Sequence, residues 1–193
     1  MEKDNIVQHD TRKEMEREVA ECRVLFEKKT RDYGTSWRIL RLPSMTDQIF
    51  IKANRIRSVQ ESGENRVGDG LRGEFVAMVN YAVMALILNE ELRMKKEELT
   101  DASREKVMEL YDGQTKRVLD LMMDKNHDYG EAWRQMRISS MVDLILMKLL
   151  RIKQIEDNDG RTLVSEGVEG GYMDIINYSL FSLVRMREEE CEK

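Results

Sequence analysis

Proline is almost missing from this chain, with one residue in 193, while glycine is limited to eleven and aromatic residues make up 6%. A sandwich or barrel needs turn residues at short intervals and β-branched runs; the sequence supplies neither, so a mainly helical fold is expected. Cysteine occurs twice, as Cys22 and Cys191, and histidine twice, as His9 and His127. Neither pair has metal-ligand spacing, which disfavours a zinc site and Cys/His catalysis. Charge of one sign is also lacking. Lys and Arg number 32 against 37 Asp and Glu, a net charge of −5. Such a chain has no overall basic field to grip a phosphate backbone, so general DNA or RNA binding is not expected, although a local basic pocket for a small phosphate ligand remains open. The longest apolar stretch, residues 75–88, is 14 long and contains Asn80, short of the roughly 18–20 residues that span a bilayer. No membrane partner is expected. The opening MEKDNIVQHD has no apolar signal-peptide core, and the expected location is the cytoplasm.

What the chain does have is a repeat. Laid over residues 125–152 at an offset of 96, residues 29–56 give 14 identities in 28 pairs, where chance pairing gives about 2. Both tryptophans fall in register, Trp37 with Trp133. At an offset of 97 the match continues through Gly63 and Gly160, Gly70 and Gly167, Gly73 and Gly170, and Asn80-Tyr81 with Asn177-Tyr178. Two copies are too few for a solenoid. The economical architecture is all-α: two tandem helical units, residues 1–94 and 104–193, joined by a linker at 95–103 and packed about a pseudo-two-fold axis in one compact globule. The molecule is then a monomeric pseudo-dimer or, pairing again, a homodimer.

Each unit reads as three helices. The first covers about 11–30 or 103–126 and stops at Asp-Tyr-Gly, where Gly34 or Gly130 can adopt the left-handed conformation that closes a helix. A second follows the candidate N-caps Ser44 and Ser140, running to about 60 or 156. Polar loops at 61–71 and 157–168 are expected to be mobile or to face a ligand. The third helix, about 73–94 or 170–188, is apolar nearly all round, as a central core helix should be.

Candidate site residues lie among the repeated polar positions. Asp47, Lys52 and Arg55 sit on a polar face of the second helix, whereas Asp143, Lys148 and Arg151 project from a helix otherwise apolar on most sides, where charge is costly without a partner or ligand. The expectation is that the second cluster is the more buried. Two explanations stand: a phosphate or carboxylate pocket, or an ion-pair network welding the units. The corners Asp32-Tyr33-Gly34-x-x-Trp37-Arg38 and Asp128-Tyr129-Gly130-x-x-Trp133-Arg134 combine a carboxylate, two aromatics and a cation, the set that stacks on a nucleobase and pairs with its phosphates. They also suit a rigid plug at the end of a bundle. On the third helix, Asp174 and Asn177 are three apart beside Tyr178 and offer two hard oxygens to Mg²⁺, while the first copy has Ala77, Asn80 and Tyr81.

These segments, KKTRDYGTSWRILRLPSMTDQIFIKANRI and DKNHDYGEAWRQMRISSMVDLILMKLLRI followed by MVNYAVMALI and MDIINYSLFSL, resemble the nucleotide modification associated domain 1 family of bacteria and phages. The resemblance covers nearly all of both halves and implies a role in nucleotide or modified-nucleotide metabolism. More remotely, the chain is similar to the all-α nucleoside triphosphate pyrophosphohydrolases of the MazG type, which hold Mg²⁺ on E-x-x-E and E-x-x-D motifs. That similarity implies a composite metal site of Glu18, Glu21 and Asp174 with Mg²⁺ as cofactor. The expected function is binding of a nucleotide or other phosphate-bearing small molecule, extending to Mg-dependent pyrophosphohydrolysis; the alternative is a non-catalytic interaction module.

Overall fold

In the computed structural model, residues 10–66, 68, 70–94, 103–163 and 167–191 are described. Six α-helices occupy them: α1 (Thr11–Tyr33), α2 (Leu42–Ser62), α3 (Leu71–Arg93), α4 (Arg104–Tyr129), α5 (Ile138–Asp157) and α6 (Val168–Cys191), with a 3₁₀ turn at Ser36–Ile39 and another at Ala132–Gln135. No strand occurs among the described residues. The linker at 95–103 falls outside them except for Ser103.

Local chemistry sets the helix ends. Asp10 and Ser103 cap α1 and α4, accepting from the backbone N–H of Lys13 and Lys106, which satisfies donors the first turn leaves free. At the other end Gly34 (φ 62°) and Gly130 (φ 59°) return their N–H groups to Thr30 and Asn126, as expected of a Cβ-free residue at a helix C-terminus. The second helices start earlier than the sequence suggests. Arg41 and Arg137 are the N-caps without a side-chain cap bond, and Ser44 and Ser140 lie inside the first turn. Pro43 explains the shift in α2, because its ring is compatible with the first turn, where no N–H is required.

Helices α2, α3, α5 and α6 form the central bundle, with α3 against α6 and α2 against α5 across the repeat boundary; α1 and α4 each lie on both α3 and α6. As expected, the third helices hold the deepest residues. Phe75, Met78, Val79, Ala82, Val83, Leu86 and Ile87 on α3, and Tyr172, Ile175, Ile176, Leu180 and Leu183 on α6, are essentially inaccessible. Although α3 is long and apolar enough to cross a membrane, its apolar faces are taken up by this core.

Contacts recur in pairs related by exchange of the halves. Asp47 on α2 pairs with Lys153 on α5 at 2.5 Å, and Asp143 on α5 faces Arg57 on α2 at 3.8 Å. Arg57 and Lys153 occupy the same repeat position, so the α2–α5 seam has the reciprocal form that a two-fold interface requires.

One buried hydrogen-bonded cluster breaks this symmetry. Thr46 and Tyr172, both fully buried, share a 2.7 Å hydrogen bond in which Tyr172 donates, and Thr46 donates in turn to Glu156 Oε1 at 2.7 Å, with the Tyr172 hydroxyl 3.3 Å from the same oxygen. Burial pushes the Glu156 carboxyl above its ordinary value despite the two hydroxyls beside it. The unfolded chain releases this proton near the ordinary carboxyl value of about 4.3, whereas the folded state keeps it to higher pH, so the group subtracts stability as pH rises through that window. Glu156→Gln retains an acceptor oxygen and removes the titration. Thermal melts should show the variant more stable than the parent at pH 7, with the difference shrinking towards zero below about pH 4; an equal offset at both pH values would contradict this.

Candidate functional site: two related pockets

Each half carries a pocket where its first helix, its 3₁₀ turn and its third helix meet. The C-terminal pocket, about 400 Å³, is bounded by Lys125, Asn126 and Tyr129 from α4, Trp133 from the turn, and Asp174, Asn177, Tyr178 and Phe181 from α6. The N-terminal pocket, about 460 Å³, is built at matching repeat positions by Lys29, Thr30 and Tyr33 from α1, Trp37 from the turn, and Tyr81 and Met84 from α3. Both volumes are in the range of small-molecule sites. The tyrosine and tryptophan of the Tyr-Gly-x-x-Trp motif therefore meet the Asn-Tyr motif of the third helix, through Asn177 and Tyr178 in one half and through Tyr81 alone in the other.

Other candidates are placed elsewhere. Asp32 and Asp128 are exposed, and neither bounds either of these two pockets. Arg38 and Arg134 are engaged by carboxylates of the protein itself. Arg38 makes a two-pronged pair with Glu91, Arg134 binds Glu188 at the equivalent position together with Glu14 and Glu131, and each guanidinium lies over its neighbouring tryptophan, 5.0 Å from the Trp37 ring and 4.3 Å from that of Trp133. Trp133 also stacks on Phe181 at 4.5 Å with the planes 9° apart. Its ring is thus occupied by protein, and the aromatic surface left for a ligand belongs to the exposed Tyr129 and the half-buried Tyr178. Asp47 and Asp143 belong to the inter-repeat seam described above. The described residues of the polar loops after α2 and α5 bound neither pocket.

The expectation that Asp143 and Arg151 are buried is overturned. The Asp143 side chain is 63% exposed and Arg151 lies on the solvent side, because the neighbouring Met147 and Leu150 are themselves exposed. Arg55 is the more enclosed of the two arginines, held by Glu74 and Asn65. Lys52 also pairs with Glu74, at 3.2 Å, whereas Lys148 pairs with Asp174, at 2.6 Å. A relocated acid accounts for the difference. Glu74 corresponds to Gly171, where an added Cβ would come within 2.8 Å of Ile152; the acid of the second copy stands one turn further on, at Asp174, where the first copy has Ala77. This shift brings a carboxylate, held from behind by Lys148, to the wall of the C-terminal pocket.

Asn177 differs from its counterpart as sharply. Asn80 is consumed by structure, donating to the Cys22 carbonyl at 3.1 Å and accepting from Tyr111 at 2.8 Å. The position matching Tyr111 is Met15, which can offer no such donor. Asn177 is accordingly 8% exposed with Oδ1 buried and unpartnered on the wall of the pocket. Beside it, burial and the Asp174 charge keep the Tyr178 hydroxyl protonated above its usual range.

The proposed metal ligands do not come together. Glu18 and Glu21 face Arg72 and Arg187, with Glu21–Arg72 at 2.7 Å and Glu18–Arg187 at 2.6 Å, while Asp174 lies against Lys148. Every carboxylate of the set already has a cation opposite it, so the residues do not fit Mg²⁺. Among the described residues no group of three or more His, Cys, Asp or Glu side chains is arranged for a metal. Cys22 is fully buried, and burial together with the Glu18 charge pushes its thiol up to about 12, the setting of a structural cysteine. Sequence reasoning passed over Lys29, Lys125, Asn126 and Phe181; the identity of Lys29 and Lys125 in the repeat was the available signal.

Fold and site together define a duplicated all-helical protein with an aromatic-walled pocket in each copy. Residues 29–88 and 125–186 match the family described as nucleotide modification associated domain 1, and the chain belongs to that family, in two tandem copies. No curated protein and no solved structure matches it.

Proposed function

We propose that the protein binds a nucleotide, holding in the C-terminal pocket a base that carries an exocyclic amino group, as cytosine and adenine do. The buried, unpartnered Oδ1 of Asn177 is the observation that supports this reading. A buried acceptor without a donor costs about 1–3 kcal/mol, which a ligand N–H recovers on binding. Asp174, one helical turn away, adds a second acceptor, and Tyr129 and Tyr178 provide flat apolar surface. Lys125, whose contact with Asp174 is a loose 3.8 Å, supplies positive charge at the same wall for a phosphate, in keeping with the family's association with nucleotide modification. The Mg-dependent pyrophosphohydrolase reading finds no such support, because its carboxylates are opposite arginines and a lysine.

Cytidine and uridine 5′-monophosphates differ at ring position 4, amino in one and oxo in the other. Cytidine 5′-monophosphate should perturb the indole N–H resonance of Trp133, and Asn177→Leu should weaken its binding at least tenfold, with and without Mg²⁺. No perturbation at millimolar concentration would favour the non-catalytic interaction module instead.

A further inference from the structure

The N-terminal pocket is not a worn copy of the C-terminal one, because its polar groups have the opposite character. In the C-terminal half, Trp133 Nε1 donates to Asn126 Oδ1 at 3.1 Å. Thr30 stands in place of that asparagine and turns its hydroxyl to the Phe26 carbonyl of its own helix at 2.9 Å. Trp37 Nε1 is left buried and without an acceptor. The acid that would sit across the pocket is Ala77, and the pocket is bounded by no carboxylate and no side-chain amide. Lys125 has Asp174 at 3.8 Å, whereas Lys29, at the same repeat position, forms no ion pair among the described residues. The wall therefore carries an ammonium group and the tyrosine and serine side chains of Tyr33, Ser36 and Tyr81, with the buried, unsatisfied indole N–H of Trp37 just beneath its surface.

We infer that this pocket is a second binding site, for a small anion with a flat body and carbonyl acceptors, of which a nucleoside monophosphate with an oxo-type base is an example. Lys29 takes the anionic group and Trp37 Nε1 donates to a ring carbonyl. A charged hydrogen bond is the stronger kind, so Lys29 carries most of the affinity. Only the likeness of the ligand to a nucleotide is borrowed from the preceding reading; the site and its polarity rest on the N-terminal residues alone.

Because the chain has two tryptophans, one per pocket, its two indole N–H resonances report on the sites separately, and Trp37→Phe assigns them. Uridine 5′-monophosphate should shift the Trp37 signal, and Lys29→Met should weaken that binding about tenfold. Uridine alone should bind more weakly than its monophosphate, and inorganic phosphate alone should shift Trp37 least. The inference is overturned if uridine 5′-monophosphate leaves Trp37 unmoved at millimolar concentration, if it moves only Trp133, or if uridine binds as tightly as the monophosphate and Lys29→Met changes nothing. Failure of cytidine 5′-monophosphate to move Trp133 bears on the C-terminal site alone. Since Lys29 is exposed, its replacement leaves the fold intact, and a melt of the variant within a degree or two of the parent checks this.

Discussion

Glu18→Ala is expected to destabilise the protein by about 3–5 kcal/mol, which for a chain of this size lowers the melting temperature by roughly 6–20 °C. Glu18 is fully buried, and its carboxylate ties Arg72 of α3 to Arg187 of α6, so that α1 closes a junction between the two halves. Without it, two guanidiniums about one quarter exposed share only Glu21, itself 45% exposed. Replacing the whole group by apolar residues, Glu18→Leu with Arg72→Met and Arg187→Met, should recover most of the loss, because the penalty comes from unpaired charge rather than from the absence of an ion pair. A melting temperature unchanged by Glu18→Ala would show that water screens this cluster.

The related cluster around α4 has the signs reversed. Gln114 and Arg117 stand where α1 has Glu18 and Glu21, Glu169 stands for Arg72, and Glu90 stands for Arg187. Arg117 bonds Glu169 and Gln114 donates to Glu90. Were α1 and α4 to exchange grooves, Glu18 and Glu21 would meet Glu90 and Glu169, and Arg117 would meet Arg72 and Arg187. Like charges thus disfavour the exchanged arrangement that a duplicated sequence otherwise invites. Arg117 is 46% exposed, and Glu169 keeps Arg93 as a second partner, so Arg117→Ala should cost only about 0–1 kcal/mol, a contrast measurable in the same melts.

Much of the fold could be read from the sequence because duplication supplies its own alignment: helix number, closure at Gly34 and Gly130, and burial of the third helices all follow from periodicity and repeat register. The pairing of side chains does not. A helical wheel places Asp143 and Arg151 among Leu144, Met147 and Leu150, but it carries no information about which of those apolar residues meets a neighbour, and Met147 and Leu150 face solvent. Likewise repeat register sets Gln114 and Arg117 against Glu18 and Glu21 but does not reveal that Glu90 and Glu169 stand opposite them. The unpartnered state of Asn177 needs a three-dimensional cause, since it depends on Met15 lying where Tyr111 lies in the other half. What was legible, and went unread, was the movement of an acid from Glu74 to Asp174 between two otherwise parallel helices.

Arg134→Met should bring a loss of similar size, about 3–5 kcal/mol, and Arg151→Met almost none, within about 0.5 kcal/mol. The Arg134 side chain is 13% exposed and is surrounded by three carboxylates from three places in the chain: Glu14 on α1, Glu131 in the corner and Glu188 on α6. Its backbone carbonyl accepts from Arg185 at 2.7 Å, and its guanidinium covers Trp133. Glu131 sits at φ 58°, a left-handed conformation unfavourable for a residue with a Cβ, and its side chain is held there by Thr11, Asn126 and Arg134. Methionine at 134 keeps apolar cover for the indole ring but removes the cation that three partly buried carboxylates share and loosens the strained corner. The corner also forms one wall of the C-terminal pocket, so Arg134→Met should weaken cytidine 5′-monophosphate binding along with stability, while Arg151→Met leaves both unchanged. Equal melting temperatures for the two variants would mean that Trp133 is fixed by Phe181 and its own burial, with the ion-pair cluster behind it contributing nothing.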